Sequence, residues 1–131
     1  LLADNPWARD NLRRQAENHG LSGERLVFAG RTSPEAYLAR YPLADLFLDT
    51  FPFNGGATAN DALWMGVPLL TCVGSSFASR MGGSLLRALG LDELIATNLA
   101  DYEEKAVGLA CGGGRLAAIR ESLAERRQSS D

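Results

Sequence analysis

The stretch from Phe51 to Pro68, FPFNGGATANDALWMGVP, holds the residues whose types and spacing best suit chemistry. Gly55 and Gly56 carry no side chain and let a backbone come close to a ligand. Ala57 then opens what reads as a helix. The first N–H groups of a helix have no acceptor within it and carry the positive end of its dipole, which suits a phosphate. Thr58 adds a hydroxyl donor. Asp61, one turn further on the same face, can accept from a diol such as that of a ribose. The same spacing also has a purely structural reading, because Thr58-x-x-Asp61 matches a capping box in which each side chain satisfies the helix start. Neither the G-x-G-x-x-G fingerprint nor a P-loop is present, so spacing leaves both readings open.

Other chemistry finds less support. His19 is the single histidine and stands before Gly20, where an imidazole suits a helix C-terminus. A Ser/His/Asp triad is hard to assemble around it, and Ser75, Ser76 and Ser79 do not stand in a G-x-S-x-G elbow. Asp45 with Asp49, and Asp92 with Glu93, fall in strand and turn contexts and receive no chemical role. Glu103 and Glu104 read as a solvated helix face. Cys72 and Cys111 lack both C-x-x-C spacing and histidine partners, which argues for two reduced thiols and against a zinc site or a disulfide. Tyr37 reads as a core or half-buried aromatic, yet its place near a sheet edge also suits stacking on a base. Arg40 faces solvent or reaches the same ligand.

Elements must exist to hold such a site. Asn5–Pro6 signals a helix that runs to Gly20, and RLVFAG (25–30) reads as a short strand. Ser33 and Pro34 then open a second helix. ADLFLDT (44–50) reads as a strand, followed by a helix through Trp64 and Met65. PLLTCVG (68–74) is a further strand, and a helix from about residue 78 to 89 follows it. LDELIA (91–96) suggests a short edge strand, and two more helices close the sequence, the last with Leu116, Ile119 and Leu123 on one face. Short strands alternating with helices predict a Rossmann-like parallel sheet with helices on both faces, an α/β fold. Residues 1–110 are expected to form this lobe, with its first strand truncated, and residues 111–131 a C-terminal helix that packs on the lobe or leaves it. Ligands of such sheets bind beyond the carboxyl ends of the strands, which again selects the loop at Thr50–Ala57.

With 131 residues and 46% hydrophobic content, one domain with a core is expected. Thirteen basic residues scattered among sixteen acidic ones, for a formal charge of −3, argue against a nucleic-acid surface. The uncharged run 62–79 is interrupted by Gly66, Pro68 and Gly74, so no membrane span is expected, and no signal peptide is visible.

LADLFLDTFPFNGGATANDALWMGVPLLT, followed by SSFASRMGGSLLRALGLDELIA, resembles the TPR-containing protein O-linked N-acetylglucosamine transferases, and the likeness extends over the full sequence. The resemblance implies the C-terminal lobe of a two-lobed GT-B enzyme, the lobe that holds UDP-N-acetylglucosamine. It implies Thr58 at the pyrophosphate, Asp61 at the ribose and Tyr37 beside the uracil. It further implies a protein acceptor, inversion at the anomeric carbon, no cofactor or metal, and a cytoplasmic setting. The family's other lobe and its TPR repeats lie outside these residues, so this stretch alone is expected to be inactive. Where many relatives read His-Thr-Thr after Asn-Gly, this sequence reads Gly56-Ala57-Thr58, which shifts phosphate binding toward backbone N–H groups. Two other readings stay open: a related lobe that serves transfer of glucose to asparagine, and a non-catalytic nucleotide-binding or scaffolding domain.

Overall fold

The computed structural model describes Leu1 and residues 5–128, and these form two compact units that meet in sequence at Tyr37 and Leu38. In the first unit, helix α1 (Pro6–Asn18) starts as expected: Asn5 caps it by accepting from the Trp7 N–H at 2.9 Å, and Pro6 occupies the first turn. Its end is a Schellman motif, in which Gly20 takes φ +78° while the Leu21 N–H reaches back to the Ala16 carbonyl. Arg9 and Arg13 lie over the Phe28 ring, 5.8 and 5.4 Å from its centre. The apolar positions Trp7 and Leu12 are exposed rather than buried.

The strand expected at residues 25–30 does not form. Leu1 donates to the Val27 carbonyl and accepts from the Ala29 N–H, the bonding of a parallel pair around Phe28. That is a single rung, and no second rung exists among the described residues, so the segment stays extended without becoming a strand. Helix α2 (Pro34–Leu38) follows, with the Ser33 hydroxyl accepting from the Ala36 N–H as its cap.

The second unit contains the sheet. Strands β1 (Phe47–Leu48), β2 (Leu69–Cys72) and β3 (Ile95–Ala96) run parallel in the order β1-β2-β3. Helix α3 (Ala57–Trp64) crosses from β1 to β2, and helix α4 (Met81–Ala88) from β2 to β3. The strand read at residues 44–50 shortens to two residues, and the one at 91–96 is half 3-10 turn (Asp92–Leu94) before β3. All four residues of β2 are buried, which requires cover on both faces of the central strand. Helices α5 (Leu99–Cys111) and α6 (Arg115–Gln128) complete the unit, and Leu109, Ile119 and Leu123 join Leu69, Leu70, Leu86 and Leu94 in one core. Among the described residues no helix is long and apolar enough to cross a membrane.

Candidate functional site

The loop from β1 to α3 is built around two polar residues that lie in the core. Asp49, directly after β1, is 5% exposed. Its Oδ1 accepts from the N–H groups of Thr50 at 2.9 Å and Gly55 at 2.7 Å, and its Oδ2 accepts from the Thr71 hydroxyl at 2.7 Å. The register that pairs Leu48 with Leu70 sets Asp49 beside Thr71 on the neighbouring strand. Asn54, 1% exposed, donates from Nδ2 to the carbonyls of Thr50 and Cys72, and its N–H donates to the Ala78 carbonyl. The β1–α3 loop is thereby tied to the loop that leads from β2 into α4. Asn54 Oδ1 is the buried side-chain oxygen with no partner among the described residues.

These anchors set the start of α3. The N-cap is Gly56, which contributes no side-chain bond, and the first helical bond runs from the Asn60 N–H to the Gly56 carbonyl. Thr58 is therefore the second helical residue rather than the cap, and the capping-box reading of Thr58 and Asp61 is not realised at this helix start. That device appears instead at α5, where Asn98 accepts from the Asp101 N–H and Asp101 accepts from the Thr97 N–H, each at 2.9 Å. No described group accepts from the N–H groups of Ala57, Thr58 and Ala59; Ala59 is fully buried, so the first turn of α3 presents the two donors of the exposed Ala57 and Thr58 at its positive end.

The expected site residues of the second unit lie at this turn, and Tyr37 lies in the first. Gly55 gives its N–H to Asp49, and its bare Cα is what admits the Thr58 hydroxyl: a Cβ on Gly55 would stand 2.8 Å from Thr58 Oγ1. Ala57 and Thr58 are exposed, and Gly56 and Asp61 are half-buried. Tyr41 holds the turn from its own side, donating its hydroxyl to the Thr58 carbonyl at 3.0 Å while its ring stacks on Phe47. Phe51 and Phe53 on this loop, and Phe77 on the loop after β2, are exposed apolar side chains. Tyr37 stands on α2 in the first unit and is half-buried.

Two further groups are accounted for by structure alone. Ser76 and Ser79 bond each other through both hydroxyls and both backbones, so the serine loop satisfies itself. A groove of about 210 Å³ lies at the opposite end of α3, lined by Trp64, Met65, Gly66, Arg120, Leu123 and Arg127 among others. Its arginines are committed to backbone carbonyls, Arg127 to Trp64 and Arg120 to Pro42 and Ala44, which makes it a clamp on loop and helix ends. Among the described residues no group of three or more His, Cys, Asp or Glu side chains is placed to hold a metal ion.

Residues 3–131 match Glycosyl transferase family 41. The chain belongs to that family. A probable UDP-N-acetylglucosamine–peptide N-acetylglucosaminyltransferase of Arabidopsis thaliana, SEC, is 37% identical over 88% of this chain, and a Caenorhabditis elegans enzyme of the same name-class is 37% identical over 92%. A solved structure of a mutant O-GlcNAc transferase from Thermobaculum terrenum superposes with a TM-score of 0.91 at 39% identity over 98% of this chain. The α/β fold is thus that of a GT-B glycosyltransferase, as the family resemblance implied. The chain spans 12% and 10% of those two curated relatives and 25% of the solved chain.

Sequence reasoning missed Asp49, Asn54, Thr71 and Tyr41. It gave Asp49 no role, whereas the structure makes it the hub of the loop. The available signal was polarity at the carboxyl ends of two apolar strand runs, LFLD and LLTC, where a buried polar group has to find a partner.

Proposed function

We propose that this chain is the nucleotide-sugar-binding lobe of a glycosyltransferase that moves N-acetylglucosamine from UDP-N-acetylglucosamine to serine or threonine hydroxyls of proteins. The observation that carries the reading is the start of α3. Within the stretch matched by the family, a glycine-capped helix presents the N–H groups of the exposed Ala57 and Thr58 with no internal acceptor.

In this reading the diphosphate lies against those two N–H groups and the Thr58 hydroxyl. Glycosyl transfer leaves negative charge on the departing UDP. Donors already fixed in place stabilise that charge more as it develops than they stabilise the ground state. The helix end supplies the positive potential that a metal ion would otherwise supply, so no cofactor is invoked. Asp61, one turn on, accepts from the ribose hydroxyls, and Tyr37 takes the side of the uracil, an assignment that rests on the family resemblance. Gly56 and Ala57 offer no side-chain donor, so the backbone carries most of the phosphate contact. The acceptor-binding groups, the second lobe and TPR repeats belong to the rest of the protein, and this chain alone is inactive. The setting is the cytoplasm, in keeping with two free cysteines.

Titration of UDP into the full-length protein tests the site. Saturable binding is expected, weakened about tenfold or more by Thr58→Ala or Asp61→Ala, the range for losing one hydrogen bond to a charged group. Binding indifferent to both changes would remove the site assignment. Mass spectrometry of a co-expressed acceptor should show N-acetylhexosamine on serine or threonine. Hexose on asparagine, or UDP binding without transfer, would favour the two other readings respectively.

A further inference from the structure

We propose that Asp49 is the positioning residue of the α3 cradle: by accepting the Gly55 N–H it fixes the loop from which the first-turn donors of α3 project. The inference rests on the reading of that helix end as a diphosphate site and adds the group that aims it. Asp49 meets no ligand. It sits 5% exposed at the end of β1 and takes three donors, two on Oδ1 and one on Oδ2.

Its surroundings leave one place for the carboxylate. The Thr71 hydroxyl fixes Oδ2 from β2, and the Tyr102 hydroxyl holds the Asp49 carbonyl at 2.9 Å from α5. Helix α4 closes the third side, where Gly82 comes so near that a Cβ there would stand 2.6 Å from both Asp49 Oδ2 and Thr71 Oγ1. Three elements thus converge on Asp49, β2 and α4 at its carboxylate and α5 at its carbonyl, and Oδ1 holds the residue directly before the N-cap. A shift of that oxygen carries Gly55 and Gly56 with it, and with them the direction of the Ala57 and Thr58 N–H groups. Among the described residues no Lys or Arg pairs with Asp49, so its bonds are spent on positioning rather than on an ion pair.

The test uses the full-length protein, with UDP affinity measured by calorimetry and folding checked by thermal melting. Asp49→Ala is expected to weaken UDP about tenfold to a hundredfold. Asp49→Asn keeps an oxygen for the Gly55 N–H and should restore affinity to within about threefold of wild type. Gly82→Ala, which touches neither ligand nor loop, should weaken UDP by displacing the carboxylate. A folded Asp49→Ala or Gly82→Ala protein that binds UDP like wild type would overturn the proposal, as would an Asn variant no better than Ala. Amide exchange on the wild-type protein decides even if the variants fail to fold. The Gly55 amide should be protected with and without UDP, whereas protection of Ala57 and Thr58 should need UDP. A Gly55 amide that exchanges freely in the absence of UDP sinks the role of Asp49. A wild-type protein that does not bind UDP at all defeats instead the site reading on which it rests.

Discussion

Tyr102 donates its hydroxyl to the Asp49 carbonyl across 53 residues of sequence, and its surroundings favour the protonated phenol. Burial first, then the neighbouring charges of Asp49 and Cys72, push the phenol up to about 12 from an ordinary 10. The raised value means the folded state keeps a proton that the unfolded chain gives up. The resulting stability is therefore complete below about pH 10 and is lost as pH rises toward about 12. Tyr102→Phe should accordingly lower stability at pH 7 by about 1 kcal/mol for the missing bond, while flattening the alkaline decline. Urea melts of both proteins at pH 7, 10 and 11.5 check this, and an unchanged alkaline slope would show that other groups govern it. Nothing in the sequence pointed to this tyrosine. Its partner is a backbone carbonyl on a strand that precedes it by two crossovers, and such pairings are set by the sheet rather than by local pattern.

Three helices end in one way. After α1, α3 and α4 the chain passes through Gly20, Gly66 and Gly90 at φ +78°, +77° and +63°. In each case the next residue bonds back to the carbonyl five positions earlier: Leu21 to Ala16, Val67 to Ala62, Leu91 to Leu86. Val67 and Leu91 are buried, so the motif also delivers an apolar side chain to the core. These stops were legible in sequence because glycine is the residue that enters this conformation without strain. The helix starts at Asn5 and Ser33 were legible for the matching reason, a short polar side chain followed by proline. Strand lengths were less so. An apolar run such as LADLFLD does not reveal how many of its residues will find a hydrogen-bonding neighbour, and β1 keeps two. Gly66→Ala should therefore destabilise the second unit by about 1–2 kcal/mol, the penalty for an L-residue in the left-handed region. Ala88→Gly, within the last turn of α4, should cost about 1 kcal/mol through helix propensity alone. Chemical denaturation of the two variants distinguishes a strained cap from a general loss of helicity.

At the scale of the molecule, the two units differ in what holds them. Every buried hydrophobic side chain described, from Ala59 to Leu123, belongs to the second unit, and among the described residues of the first only Gly23 is buried. Among the described residues, Leu1–Tyr37 offers cation–π contacts on Phe28, helix caps and a parallel rung at Leu1. A segment below about 40 residues whose described side chains form no apolar interior is not expected to offset its conformational entropy by itself. The second unit has a central strand covered on both faces, and Asp49, Asn54 and the α3 cradle all lie within it. A protein consisting of residues 38–131 should thus unfold cooperatively by circular dichroism and retain the protected Gly55 amide. Residues 1–37 alone should show neither a cooperative transition nor slow exchange. The reverse result, a sheet unit that collapses without residues 1–37, would mean that the extended segment at 25–30 contributes more to the fold than its single described rung suggests. It would move the boundary of the independently folding part into the first unit.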